Sequence, residues 1–414
     1  MASDKFSNLP DEVMDKILMF LPIREAVKTC VLSTNWRYKW TSIPNLVFDT
    51  RSIPSHIKER EQLKTNLVTF VDKTLLLHND IISNFILNNF LESGCADVDQ
   101  WILSLSRKML NHLALLFKST TNTYQIPSCL FSCQTLKNLE LEGCKIILPS
   151  QYQGFSNLTD LRLEDVILTN QTFESLLVKI PHLYRLSIIH CKSLTDLIID
   201  APNLDWVVLV GDLIQSTTFR NAPKVTRTLI YLPMLPIGSK FDEAFGGLNS
   251  TLQCIGIILD PFLELLPNVI VSKRLKTTYN NLTSLSCWIN FEVPGNILGL
   301  LCLCRSSPHL ERITIAACWH KSESLDKEDS WEVQLCKEDG IFHCLKTVGL
   351  ERFMGVKYDM GFIEFILLNA IVLETFYIKW EEKSVMDENV DAVKKISQFQ
   401  KASSNAKVIF FDEV

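Results

Sequence analysis

The chain has 414 residues, 47% hydrophobic and 21% charged, with 14 glycines and 15 prolines, which excludes a collagen-like, low-complexity or largely disordered protein and suits two or three folded units. Its 41 basic and 47 acidic side chains give a formal charge of −6, without the basic footprint of a protein that grips a phosphate backbone, so no nucleic-acid partner is expected. The opening MASDKFSNL has no charged-then-apolar leader and no apolar run approaches membrane-spanning length, so neither secretion nor a membrane partner is expected, and the thirteen cysteines are read as reduced thiols, mostly buried.

Residues 8–40 read NLPDEVMDKILMFLPIREAVKTCVLSTNWRYKW. Pro10 with Asp11 and Glu12 marks a helix start, because proline presets φ where no N–H partner is needed and carboxylates suit the positive helix end. Val13, Ile17, Leu18 and Leu21 then recur at helical spacing until Pro22 stops the run. A second helix is predicted from Arg24, carrying Ala26, Val27, Cys30 and Val31. A third is predicted after Ser33 as cap, with Trp36 and Trp40 on one face. So short a module cannot build a large core of its own. Its apolar side chains either pack against the rest of the chain or form a docking surface covered by a partner.

Leu9-Pro10, Asp11-Glu12, Ile17-Leu18, Leu21-Pro22, Val31-Leu32-Ser33, Trp36 and Trp40 together resemble the F-box pattern, which extends here into PNLVFD at 44–49. The resemblance implies docking on a Skp-type adaptor and, through it, on a cullin–RING ubiquitin ligase. It implies Leu9, Pro10, Ile17, Leu18, Leu21, Pro22, Val31, Leu32 and Trp36 as that interface or its support. Thr34-Asn35 stand where the family commonly has a basic residue, although Arg37 and Lys39 keep the region basic.

Residues 50–66 are mixed and charged and read as an exposed linker. LVTFVDKTLLL and IISNFILNNFL, within 67–91, read as helices or helix plus strand, and residues 99–109 as a helix with Trp101 and Leu105 inward. From there a repeat dominates. L-x-x-L-x-L-x-x-C appears at Leu136, Leu139, Leu141 and Cys144, and again at Leu183, Leu186, Ile188 and Cys191. It returns at Leu310, Ile313, Ile315 and Cys318, with Leu158/Leu161/Leu163 lacking the cysteine. Weaker copies begin at Leu110, Leu194, Leu204, Val225, Leu252 and Leu282. L-x-L alternates as a strand does, and a buried thiol can fill the corner where the chain turns. No unit can bury its apolar face alone, so neighbours must stack. The fold class expected is α/β: a short N-terminal helical module followed by an irregular leucine-rich-repeat solenoid with parallel strands. Pro233 to Ser250 is the weakest stretch, expected to hold longer loops.

Residues 320–339 form a polar, acidic run read as a solvated loop. The spacing resumes at Leu345/Val348/Leu350 and Leu373/Phe376/Ile378. A helix is predicted around Met386–Gln398, and a closing strand AKVIFF at 406–411 should cover the edge of the array. The Leu345-Lys346 strand, the Phe362 to Leu368 helix, Leu373-Glu374 and AKVIFF resemble the FBD region of plant F-box/LRR-repeat proteins. The organisation expected is an F-box at 1–48, a connector with a first atypical repeat at 49–100, leucine-rich repeats at 101–335, and FBD-like repeats with a cap at 336–414.

The sequence shows no paired C-x-x-C, H-E-x-x-H, phosphate-binding glycine loop or nucleophile elbow. Of eight histidines, His182 and His190 are the closest pair. Cys30 and Cys191 lie in apolar periodic segments and read as inert. No catalytic residue, metal or cofactor is therefore assigned. The resemblance implies a non-catalytic substrate-recognition subunit of an SCF-type ubiquitin ligase, in cytoplasm or nucleus, whose repeats hold an unknown protein substrate. A leucine-rich-repeat scaffold or decoy outside ubiquitination is the alternative. A small-molecule co-receptor would need converging basic side chains, for which Arg162 and Arg185 are the isolated candidates.

Overall fold

The L-x-L segments stack as parallel strands, each placing its two apolar side chains at the same register as its neighbour's. The structure, a computed structural model, describes residues 9–53, 59–88, 96–117, 123–232, 239–258, 274–318, 341–381 and 386–411. The chain divides into two units, the first reaching Leu194 and including Asp200–Leu204, the second comprising Thr195–Ile199 and Asp205–Val414.

The first unit opens with helices α1 (Asp11–Phe20) and α2 (Ile23–Lys28) and runs into strand β1 (Asn45–Phe48). Helix α3 (Arg60–Leu77), strand β2 (Asn84–Asn88), helix α4 (Ala96–Ser106) and strand β3 (His112–Leu116) follow. Next come the short strand β4 (Tyr124–Gln125), β5 (Asn138–Glu142), the short β6 (Cys144–Lys145), β7 (Asp160–Glu164), helix α5 (Asn170–Leu177) and β8 (Arg185–Ile189). β1, β2, β3, β5, β7 and β8 pair in parallel, in that order. Leu113, Leu139, Leu161 and Leu186 stand in one register row, and Leu115, Leu141, Leu163 and Ile188 in the next, all buried. Cys144 and Cys191 are buried at the corners, the latter's thiol donating to the Leu163 carbonyl at 3.4 Å.

The second unit holds the two-stranded pair β9 (Asp196–Asp200) and β11 (Ser216–Asn221). Its main ladder begins with β10 (Trp206–Val210), β12 (Arg227–Tyr231) and β13 (Cys254–Ile258), with helix α6 (Ser239–Phe245) between the last two. β14 (Ser284–Ile289), helix α7 (Pro294–Arg305) and β15 (Arg312–Ala317) continue it. It ends with β16 (Thr347–Phe353), helix α8 (Lys357–Asn369), β17 (Thr375–Trp380), helix α9 (Met386–Gln398) and β18 (Lys407–Phe411). β10 and β12 to β18 pair in parallel. One buried row includes Ile257, Cys287, Ile315, Leu350 and Ile378. Thr228 replaces an aliphatic in the other row. It is buried, its hydroxyl finds no hydrogen-bond partner among the described residues, and the repeat beginning at Val225 is correspondingly faint in sequence.

Several expectations need correction. Residues 33–38 form turns between two short 3-10 segments, with no third α-helix. The Ser33 hydroxyl is buried without a partner among the described residues, so it makes no cap there, and Thr34 and Asn35 are poor helix formers. Trp36 and Trp40 are nevertheless both buried. Within the supposed linker, residues 60–66 are the start of α3. The Leu194/Leu197/Ile199 repeat pairs with β11 and lies off the main ladder. Part of the expected Pro233–Ser250 loop is α6, because Phe241, Phe245 and Leu248 recur at helical spacing and are buried, the two rings 4.8 Å apart. Cys30 is only half-buried. β18 pairs with β17 and itself forms the last strand among the described residues. The acidic run at 320–339 lies outside the described residues.

Asp359 in the first turn of α8 is fully buried. Its Oδ2 accepts from the Met354 and Gly355 amides at 3.1 and 3.2 Å, while Oδ1 has no partner among the described residues. Burial raises its pKa to about 7 against the opposing pull of these amides. Between the ordinary carboxyl pKa and about 7, the unfolded chain is ionised where the folded chain holds a proton, so stability falls as pH rises through that window. Asp359→Asn keeps an acceptor oxygen and removes the charge. The melting temperature of this variant should therefore fall less than wild type's from about pH 5 to pH 8; equal slopes would show that Asp359 is not the group responsible.

Candidate functional site

Proline makes α1 begin abruptly. Pro10 is its N-cap, and its carbonyl accepts from the Val13 and Met14 amides at 3.0 and 3.1 Å. Pro22 is likewise the N-cap of α2, accepting from Glu25 and Ala26. Lys39 ties the later turns to α1, its ammonium 3.0 Å from Asp11 and 3.7 Å from Asp15. Met14, Leu18, Ile23, Ala26, Trp36 and Trp40 form the buried interior of this helical module.

The other apolar side chains do not go inside. Phe20 is 88% exposed, Val31 83% and Tyr38 70%, with Met19, Leu32 and Val13 also exposed. α1 thus carries two apolar stripes about 100° apart, since one residue advances a helix by that angle. Met14 and Leu18 define the inward stripe; Val13, Ile17 and Phe20 define the second, left largely open apart from the half-buried Ile17. Large apolar side chains clustered so densely in some 25 residues are the signature of a surface that a partner covers.

The nine residues expected at this surface fall into three groups. Leu18 and Trp36 are buried and can only support it. Leu9, Ile17, Leu21 and Pro22 are half-buried, while Pro10, Val31 and Leu32 are exposed. The sequence reading missed Phe20, Met19 and Tyr38, and placed Val13 in one stripe with Leu18, which the structure separates into an open and a buried face. The 13/17/20 spacing is the signal in the sequence that marks this second stripe.

The module is fixed to the repeats through its last residues. The Thr41 carbonyl accepts from the Asn79 amide at 3.1 Å, and the Thr41 hydroxyl lies 3.2 Å from Asn79 Oδ1. His78 Nε2 lies 2.9 Å from the Ile43 carbonyl, and burial lowers the pKa of this histidine. β1 then enters the ladder, with Leu46 beside Phe85 and Phe48 beside Leu87. Asn84 Nδ2 donates to Asn45 Oδ1 at 2.7 Å.

The cysteines, histidines and arginines singled out in the sequence do not converge on a second site. Burial pushes the thiols of Cys133, Cys191 and Cys304 up to about 12, far from a reactive thiolate. His182 and His190 are exposed. Arg162 is paired with Glu164 at 2.5 Å and Arg185 with Asp160 at 3.3 Å, so these two cations already have carboxylate partners. Among the described residues no cluster of histidine, cysteine and carboxylates could hold a metal, and no helix is long and apolar enough to cross a membrane.

Comparison with known proteins divides the chain along the same line. The F-box domain family matches residues 6–48, the family described as "FBD-associated F-box protein At5g56370, LRR repeats" matches residues 98–315, and FBD matches residues 341–378. F-box/FBD/LRR-repeat protein At1g13570 of Arabidopsis thaliana is 31% identical over 421 residues, covering 100% of this chain and 99% of that protein. F-box/FBD/LRR-repeat protein At5g56420 and FBD-associated F-box protein At4g10400, both from the same plant, are 25% identical. Each covers 98% of this chain, which in turn covers 99% and 100% of their lengths.

Burial separates the scaffold of this surface from its open side chains. Trp36→Ala should destabilise the module by about 3–5 kcal/mol, as truncation of a buried large aromatic does. Phe20→Ala should change stability by no more than about 0.5 kcal/mol. Hydrogen exchange over residues 9–48 checks both: faster exchange in the Phe20 variant would show that this ring is packed.

Proposed function

The chain belongs to the F-box/FBD/LRR-repeat protein family, and from that premise we propose that it is a substrate-recognition subunit of an SCF-type ubiquitin ligase. Its helical module docks on a Skp-type adaptor, and its repeats bring a target protein to the complex. The supporting observation is the open apolar surface of Val13, Met19, Phe20, Val31, Leu32 and Tyr38 within the segment matched to the F-box. Covering Met19, Phe20, Val31 and Leu32 would contribute on the order of 6–10 kcal/mol before the costs of association, a large share of what a complex needs. Leu9, Pro10, Ile17, Leu21 and Pro22 contribute at its margin; Leu18 and Trp36 hold it in shape.

The protein performs no bond chemistry in this reading. It raises the concentration of target lysines near a charged ubiquitin-conjugating enzyme, an effect of tethering. Anchorage of the module to the first repeat through Thr41, His78 and β1 suits that task, because it restricts how far the module can move against the strand that follows it.

Calorimetric titration of the full chain with a Skp-type adaptor tests the reading. Wild type should bind, and Phe20→Glu combined with Val31→Glu should weaken binding at least about 100-fold while circular dichroism stays unchanged, since two charges would be driven into an apolar interface. Failure of well-folded wild type to bind any of several adaptor paralogues would instead leave a scaffold or decoy outside ubiquitination.

A further inference from the structure

The outward faces of the two ladders differ in kind. In the first unit one outward row reads Asn45, Asn84, His112, Asn138, Asp160 and Arg185. The arginines of this face are paired, Arg162 with Glu164 and Arg185 with Asp160; His112 lies 3.1 Å from Glu140, and Glu142 stands beside Glu164 on the same face. That face is a polar surface whose two arginines are both paired and whose carboxylates outnumber them.

The second unit's outward face is not balanced. Trp206, Leu229, Trp288, Tyr377, Ile409 and Phe411 are exposed on its strands, Trp288 at 54%. They all occupy the alternate positions that point away from the buried rows. Trp206 lies under the Arg227 guanidinium, which is paired with Asp205, and Tyr377 stacks obliquely on Phe411 at 5.6 Å. The first outward row of the strands carries Arg227, Arg312 and Lys407 and no carboxylate. Arg312 and Lys407 are exposed with no ion pair among the described residues. Four residues along from that row, Glu351 stands in the register row of Trp288, one strand beyond Ala316, with Lys379 and Phe411 on the two strands that follow.

Arg312 and Lys407, without an ion pair among the described residues, share one face with exposed aromatics in a chain of formal charge −6, and this calls for a ligand of complementary charge. We propose that this face binds an extended segment of the target protein whose aromatic or branched aliphatic side chains are flanked by carboxylates. Its apolar groups lie on Leu229 and Trp288 at one end and on Tyr377, Ile409 and Phe411 at the other. Its carboxylates meet Arg312 and Lys407. From β12 to β18 there are six inter-strand steps of about 4.8 Å, a span of roughly 29 Å that about nine extended residues cover. The inference rests on the receptor reading above in calling that segment a target, and it supplies the chemical class which that reading leaves open.

A display library of random peptides of about twelve residues, selected on the full chain bound to its adaptor, tests this. The enriched peptides should combine carboxylates with aromatic or branched aliphatic side chains. In fluorescence anisotropy they should bind Arg312→Glu and Trp288→Ser at least about tenfold more weakly than wild type, with rising salt weakening wild-type binding. Both substitutions lie at exposed positions, and circular dichroism confirms that the variants fold. No enrichment, enriched peptides without carboxylates, or binding unmoved by either substitution overturns the proposal. If the adaptor does not bind, the selection is run on the full chain alone. Peptide binding by a chain that ignores the adaptor then removes the ligase reading and leaves this face standing; adaptor binding without peptide selection does the reverse.

Discussion

Everything in this protein depends on a two-residue requirement repeated along the chain: in each strand, two alternate side chains must be buried against the corresponding pair of the next strand. A single L-x-L segment has too little surface to bury itself and no free energy to hold its backbone in place. Stacking solves both problems, since each added strand covers the previous pair and closes its hydrogen bonds. The tolerance of this arrangement is set by volume and polarity. Cys287 fits among isoleucines because a thiol is a small hydrophobe, whereas Thr228 leaves a buried hydroxyl without a partner among the described residues.

The helical module borrows its stability from the same device. A stretch of some 40 residues cannot enclose two tryptophans and a row of aliphatics and still cover every apolar side chain. Trp36, Trp40, Met14 and Leu18 are enclosed; Phe20, Val31 and Leu32 remain outside. The module is then continued into β1, whose Leu46 and Phe48 join the ladder as its first buried pair. An open apolar surface and a firm attachment thus arise from one economy, in which limited core is spent on joining the repeats.

Because the inward pair of each strand is committed to stacking, the outward positions are free to vary in chemistry without affecting the fold. The first unit uses them for asparagines, carboxylates and paired arginines, the second for tryptophan, tyrosine and cations of which Arg312 and Lys407 have no ion pair among the described residues. Specificity can therefore be written on one side of a strand while stability is written on the other.

The sequence by itself determined the strands and their inward side chains, since alternation at fixed spacing states which side of each segment is apolar. Leu139/Leu141, Leu186/Ile188 and Ile313/Ile315 were legible in this way, as were Trp101 and Leu105 in α4 and the family motif at the N-terminus. Tertiary structure alone decided which apolar groups are covered. Periodicity marks Val13, Ile17 and Phe20 as a stripe but does not say whether any part of the chain lies against it. It likewise could not show that β9 pairs with β11 and not with the main ladder, or that residues 33–38 turn where a helix was expected. Spacing is a local property of the backbone, whereas coverage depends on what distant segments bring to the same place.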